Sequence, residues 1–369
     1  MTSKPQFVGQ KVRLGDVVKI EKAPTPSGNN VWMLNLDAVE KDTGRVIIKN
    51  RVEADSVGIS TIAFTAKAVL YSKLRPNLNK VVVADEPGLA TSEMLPLITN
   101  PKILDRRYLA YLLRSSSFVN LAVSSTAGSK MPRVNKKTLL NAVFSIPNLE
   151  SQHQRVNQLS AIEEARTKAE LTIVQLDSFV KSRFVEMFGT LDSNPFSLPV
   201  KKMGEVAEQL IAGGDKPTDI TVQKDKNHVY PVYANGVIDG GIQGYSSKAR
   251  VNKPAVTIAA RGTIGFCCIR DAGFTPVVRL ISMVPDSSLD LTYLKYYIDS
   301  LNLAGSGTSQ AQLTVPDFRM KPILIPKISD QHKFAALVAQ VDKSRFVAQQ
   351  QIEKLQLLYD SLAQEYFGD

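Results

Sequence analysis

Cysteine is almost absent from this chain. The only two, Cys267 and Cys268 among 369 residues, are adjacent. That spacing is too tight for them to bridge each other or to share a metal, and a pair of strand residues buried in a core is expected. There are three histidines, His153, His228 and His332, and no His/Cys cluster carries metal-ligand spacing. No G-x-x-x-x-G-K-[ST] loop is present, and no G-x-G-x-x-G follows a strand, so the usual phosphate and dinucleotide cradles are missing. Carboxylates are scattered, and no pair can be argued into one cleft for acid–base work. The expectation is a chain without catalytic residues, metal or cofactor. No run of about 18 apolar residues exists, which excludes a membrane-spanning helix by pattern. The opening MTSKPQFVGQ lacks the apolar core of a signal peptide, so a cytoplasmic protein is expected.

What the chain does have is a duplication. The stretch Ile146-Pro147 to Gly189 recurs as Ile325-Pro326 to Gly368, with a constant offset of 179 and no gap. A period that long indicates a duplicated domain rather than a solenoid. In each copy proline ends an extended segment, and Ser151 or Asp330 offers an N-cap oxygen. Apolar residues then follow at spacings of three and four: Leu159, Ile162, Ala169, Ile173, Leu176, Val180 and Met187. The second copy places Val338, Val341, Ala348, Ile352, Leu355, Tyr359 and Tyr366 at the same positions. This is a heptad seam. Arg166 and Arg345 interrupt it at equivalent places, and a polar residue in a seam can fix register. Phe188-Gly189 and Phe367-Gly368 end the helices, glycine being free to take the left-handed C-cap conformation. Two helices in the same register, each preceded by a domain-sized segment, predict an intramolecular coiled coil joining two like modules. His153 and His332 follow glutamine at the helix starts, where capping or packing is the expected role.

Four segments result. Residues 1–149 form a first module, 150–189 a long helix, 190–328 a second module and 329–369 a second long helix. In the first module, Val12 to Val17 reads as a short strand or helical turn. Val31 to Leu36 and Arg45 to Ile48 read as strands around a turn at Lys41 to Gly44. Ala68 to Asn77 reads as a strand running into a basic loop, with further strands at Lys80 to Ala84 and Ser92 to Ile98. Asp105 to Asn120 reads as one amphipathic helix, and Ser124 to Lys137 as a polar, basic loop. The second module repeats the plan. Val200 to Val206 echoes VRLGDV, Ala255 to Gly265 echoes the strand and basic loop, and Tyr293 to Ile298 echoes Tyr108 to Leu113. Ser306 to Leu313 echoes the loop around Gly128. The linker 190–199 contains Asn194-Pro-Phe196. This lacks the second proline of the Asn/Asp-Pro-Pro-aromatic motif of amino-methyltransferases, and a turn is expected there.

Charge is uneven. Residues 1–149 hold 21 Lys and Arg against 11 Asp and Glu, a net of +10, and 191–328 are +3, whereas 150–190 and 329–369 are −1 and −2. Excess positive charge on the modules points to a polyanion partner. The candidate contacts in the first module are Lys73, Arg75, Asn77, Asn79, Lys80, Lys130 and Arg133. In the second they are Lys248, Arg250, Arg261, Thr263, Ser309, Gln310 and Gln312. Arginine can read guanine with two bonds, Asn and Gln adenine, and lysine mostly meets phosphate.

The duplicated plan, the Ile-Pro…Gln helix starts, the Phe-Gly helix ends, VLYSKLRPNLNKV and GSGTSQAQL together resemble the specificity subunit of type I restriction–modification enzymes. The resemblance covers nearly the whole chain; the architecture is its specific part, and each short motif alone is weak. It implies an α+β protein: two mixed α/β target recognition domains joined by an antiparallel, pseudo-twofold coiled coil, without catalytic activity. It also implies as partners double-stranded DNA, two methyltransferase subunits and, in a full complex, translocase–nuclease restriction subunits. A helix of about 39 residues would span ~58 Å at ~1.5 Å per residue, longer than one DNA turn of about 34–36 Å. A bipartite, asymmetric target is therefore expected. A stand-alone two-module DNA-binding regulator or architectural protein is the alternative, and co-purification of a methyltransferase would separate the two.

Overall fold

A heptad seam spread over forty residues can be satisfied only by a partner helix, and this requirement organises the chain. In a computed structural model, residues 9–58, 60–127, 131–303 and 312–368 are described. They form two compact units, Met1–Ala169 with Gln351–Asp369, and Glu170–Gln350. Each unit holds one module together with the near ends of both long helices, Leu149–Phe188 and Ile328–Phe367. Among the described residues no helix is long and apolar enough to cross a membrane.

Inside the first unit, Arg155 bonds the Tyr366 carbonyl at 3.1 Å and Arg166 bonds Gln356. Inside the second, Arg345 meets Asp177 at 2.6 Å. Numbers rise on one helix as they fall on the other, so the paired stretches run antiparallel. The expected seam positions all turn inward. Leu159, Ile162, Ala169, Val180, Val338, Val341 and Ala348 are buried, and Arg166, Ile173, Leu176, Arg345, Ile352 and Leu355 are half-buried. The polar breaks in the seam have repeat-equivalent partners, since Gln356 and Asp177 are themselves 179 residues apart.

The caps differ from expectation. Asn148, not Ser151, caps the first long helix: its Oδ1 accepts from Ser151 N at 2.9 Å. Asp330 lies inside the second helix and pairs with Lys333 at 2.9 Å. Gly189 does take the left-handed conformation, with φ 71, whereas Gly368 bonds the Gln364 carbonyl at 2.8 Å without a positive φ.

In the first module an antiparallel sheet runs in the order Val18–Ile20, Met94–Thr99, Val69–Ser72, Val81–Val83. The second module repeats that order with Ala207–Ala212, Ile281–Pro285, Ala255–Ile258 and Cys267–Arg270. A second sheet in the first module orders Asn50–Val52, Val31–Leu34, Gly88–Thr91 and Thr61–Phe64, the middle pair parallel. Its counterpart has three strands, Ile242–Ser246, Tyr230–Tyr233 and Thr275–Pro276.

The module helix covers the antiparallel sheet, and the core continues into the long helices. Tyr108 packs on Phe367 at 5.2 Å between centroids, and Tyr293 packs on Phe188 at 4.9 Å. The Phe of each Phe-Gly helix end is thus an anchor in a module core.

Two readings within the first module need correction. Arg45–Ile48 is not a strand. Ile47 and Ile48 are exposed, Val46 makes a lone bridge to Val39, and the strand beside Val31–Leu34 is Asn50–Val52. The expected helix 105–120 is two helices, Arg106–Arg114 and Ser116–Ser124. Ser115 breaks it with extended φ/ψ, and its Oγ accepts from Phe118 N. The Val12–Val17 stretch is both things expected, strand to Arg13 and then a helical turn.

Candidate nucleic-acid interface

In each module the chain leaves a central strand through a basic loop, and a second loop packs against that exit. In the first module, Val134 N bonds the Lys73 carbonyl at 3.0 Å and Arg75 N the Pro132 carbonyl at 2.8 Å. In the second, Leu313 N bonds the Ala260 carbonyl at 3.0 Å. The two expected contact segments of each module are therefore side by side, at equivalent places in the repeat.

Their side chains are not equally available. Arg75 and Asn77 are exposed on a turn bounded by two left-handed residues, Arg75 with φ 49 and Asn79 with φ 50. Such backbone costs an L-residue of order 1–3 kcal/mol and gathers at functional sites. Asn79 itself is a buttress: its Nδ2 donates to the Arg114 carbonyl at 3.0 Å. Lys80 Nζ donates to the Leu36 carbonyl at 2.6 Å. Arg133 forks onto Glu93, with Nη2 to Oε1 at 2.8 Å, and holds that carboxyl below the usual carboxylate range. Burial pushes the Lys73 ammonium's pKa down, opposed by Glu93 at 3.9 Å.

In the second module Lys248, Arg250 and Thr263 are exposed. Arg261 and Gln312 meet, Nη2 to Oε1 at 2.8 Å, so two expected readers are joined in one fork. Lys130, Ser309 and Gln310 lie outside the described residues.

Sequence reading missed Arg279. It is exposed, with φ 62, beside Val278 with φ 50. A β-branched residue in that region is a genuine outlier. Asn235 ties the pair to the Arg261 loop, its Nδ2 donating to the Val278 carbonyl at 2.6 Å and its Oδ1 accepting from Ala260 N at 2.7 Å. No sequence signal marks a positive φ at valine or arginine.

Elsewhere, Cys267 is buried on its strand, where burial pushes the thiol's pKa well up, and Cys268 is half-buried. Asn194 closes the linker turn on Leu198 through two bonds of 2.9 Å. Among the described residues no group of three or more His, Cys, Asp or Glu is placed to hold a metal.

The family profile described as type I restriction modification DNA specificity domain matches residues 9–175 and again 198–357. The chain belongs to that family. A putative type I specificity subunit of Mycoplasma pneumoniae is 27% identical over 239 residues, 64% of this chain and 64% of its own length. Another from the same organism is 33% identical over 137 residues, 37% of this chain and 41% of that one. The matches thus span about two fifths to just under two thirds of these relatives. Two solved structures share the fold. One is from work described as "complex assembly and conformational transition of the type I R-M system" (TM-score 0.64, 19% identity, 98% of both chains). The other is the type I restriction–modification S subunit from M. genitalium, with TM-score 0.60, 16% identity and 100% and 98% coverage. The duplicated α+β architecture is common to them and to this chain.

Proposed function

We propose that this chain is the DNA-reading specificity subunit of a type I restriction–modification complex. Each module reads one part of a bipartite, asymmetric target. The observation that carries the reading is the recurrence, in two like modules, of an exposed cationic strand-exit loop clamped by a second loop. Arg75 and Asn77 occupy it in one module and Arg261 and Thr263 in the other, where Gln312 of the second loop forks with Arg261 and Arg279 is held alongside through Asn235. Arg75 and the Arg261–Gln312 fork are the base-reading candidates. Lys248 and Arg250 suit phosphate. Lys73, Asn79, Lys80 and Arg133 hold the reading loops in shape.

The subunit brings recognition to enzymatic partners and supplies no chemistry of its own. The long helices support this role, because their largely polar outer faces also carry exposed large hydrophobes. Leu171, Val174 and Val185 on one, and Phe346 and Leu357 on the other, are exposed large hydrophobes opposite the seam. Hydrophobes exposed on the outer face of a seam helix suit docking of a second protein. Two methyltransferase subunits, with restriction subunits added in the full complex, are the partners proposed.

The test is co-expression with a type I methyltransferase subunit, followed by sequencing of the methylated DNA. Arg75→Ala and Arg261→Ala should each lower specific affinity by about 1–3 kcal/mol and relax the target at one position. Unchanged affinity and an unchanged target for both would overturn the assignment. A chain that binds its DNA site but purifies without any methyltransferase would favour a regulator instead.

A further inference from the structure

The Ile-Pro…Gln signature at the start of each long helix is not used by any DNA-reading loop, yet its glutamine is completely buried. Gln152 and Gln331, 179 residues apart, are both 0% exposed. Buried glutamine is uncommon, and one that persists has its hydrogen bonds satisfied. Here the two sets of bonds are the same. Gln152 Oε1 accepts from Asp105 N at 2.8 Å, and its Nε2 donates to the carbonyls of Ile103 and Pro147, both at 2.8 Å. Gln331 Oε1 accepts from Asp290 N at 2.8 Å, and its Nε2 donates to Ser288 at 2.9 Å and Pro326 at 3.0 Å. One amide therefore sews the start of the long helix to the segment that launches the module helix.

The residue it holds is the cap of that helix. Asp105 Oδ1 accepts from Arg107 N and Tyr108 N at 2.8 and 3.0 Å, and Asp290 Oδ1 from Thr292 N and Tyr293 N at 2.7 and 3.1 Å. In the first module the path continues to the reading loop. Arg106 donates to the carbonyls of Ala66 and Ala84, at the base of the hairpin formed by strands 69–72 and 81–83. At the hairpin's other end, Asn79 bonds the Arg114 carbonyl at 3.0 Å, and Arg75 stands between. The hairpin is thus tied to both ends of the module helix, and the helix to Gln152.

We propose that Gln152 and Gln331 are positioning residues for target recognition. Each sets the pose of its own module on the long helix and so aims that module's reading loops, without touching DNA. The proposal rests on the DNA-reading function above, and it predicts a double dissociation that a general loss of stability would not produce.

The experiment uses the full-length chain and three duplexes: the target found from methylated DNA, and two versions with one or the other half-site scrambled. For the wild type, scrambling either half weakens binding. Gln152→Leu removes all three hydrogen bonds of a buried amide. It should shrink the penalty for scrambling one half-site by about tenfold, the equivalent of one buried group left unsatisfied, and leave the other penalty intact. Gln331→Leu should do the reverse. Gln152→Glu keeps the shape and the acceptor and regains a donor only when protonated. Its half-site discrimination should be lost at neutral pH and recover in part as pH falls. Amide exchange supplies a readout free of DNA. In Gln152→Leu, exchange at Asp105 and Tyr108 should speed up while Asp290 and Tyr293 stay protected, and the converse should hold in Gln331→Leu. Exchange that rises uniformly along the chain, or half-site penalties that fall together in both variants, would overturn the proposal. A wild-type chain with no preference among the duplexes would defeat the DNA reading, and the exchange pattern would still decide whether the clasp acts module by module.

Discussion

Removing Glu163 should unfold the first unit well before it disturbs the second. Glu163 sits on the first long helix and is the counter-charge for Arg114, whose side chain is only 8% exposed. Its Oε1 is 3.1 Å from Arg114 Nη2, and its Oε2 accepts from Tyr111 OH at 2.6 Å. Arg114 also donates to the Thr43 carbonyl and lies 4.6 Å over the Tyr111 ring. Burial opposes the Arg114 charge, and Glu163, Tyr359 and Tyr111 outweigh it, so the guanidinium's pKa is raised and it stays charged. Alanine at 163 strands that charge, and breaking one side of a buried pair costs ~3–5 kcal/mol. Glu163 is 26% exposed, so water compensates in part and about 3 kcal/mol is expected. In a unit of this size that lowers Tm by roughly 6–12 °C. The assay is selective because the chain has one tryptophan, Trp32, which is buried in the first unit. Its fluorescence in a urea titration follows that unit alone. Adding Arg114→Met to Glu163→Ala should restore most of the loss, since a buried pair replaced by apolar groups is often neutral. A single-variant loss below about 1 kcal/mol, the range of a surface pair, would refute the reasoning. So would a double variant no more stable than the single.

Other outcomes can be checked alongside. Arg345→Leu should leave the second unit at least as stable as before, because a seam arginine trades stability for register, and the Asp177 it releases is already half open to water; a calorimetric fall in Tm would contradict this. Gly44→Ala should destabilise the 41–44 turn, since φ is 69 there and a Cβ would lie 1.9 Å from the Val81 carbonyl oxygen. Trp32 fluorescence in urea would read the loss, and an unchanged midpoint would count against the close approach. The Glu93–Arg133 fork should be pH-dependent. The folded carboxyl lies below its ordinary 4.5, so the pair's contribution is full above that pH and is lost as pH falls through the lower folded value. A carboxyl-carbon NMR titration of Glu93 with a midpoint at or above 4.5 would remove the claim.

The long helices were legible to within a residue or two, expected over 150–189 and 329–369 and observed as Leu149–Phe188 and Ile328–Phe367. A seam is a local pattern, and the duplication states it twice. The two-module plan, the central strands Val69–Ser72 and Ala255–Ile258, and the basic loops that follow them were legible for the same reason. Arg45–Ile48 failed because an apolar run reads as a strand until its neighbours are known, and here the neighbouring strand pairs with Asn50–Val52 instead.

What the sequence by itself determined is the duplication, the heptad seam with an arginine at matching places, and the concentration of positive charge on the modules. These are properties of spacing and composition that survive without coordinates. The tertiary structure alone decided which polar residues stand exposed and which are bonded to the chain's own backbone. Gln152 and Gln331 are buried because their partners include backbone groups more than forty residues away in sequence at Asp105 and Asp290. Lys80 and Asn79 read as contacts, yet backbone carbonyls take their side chains, while Arg279 is presented by a positive φ that no residue type announces. Hydrogen-bond satisfaction inside a protein is settled by groups distant in sequence, and only the folded chain brings those groups together.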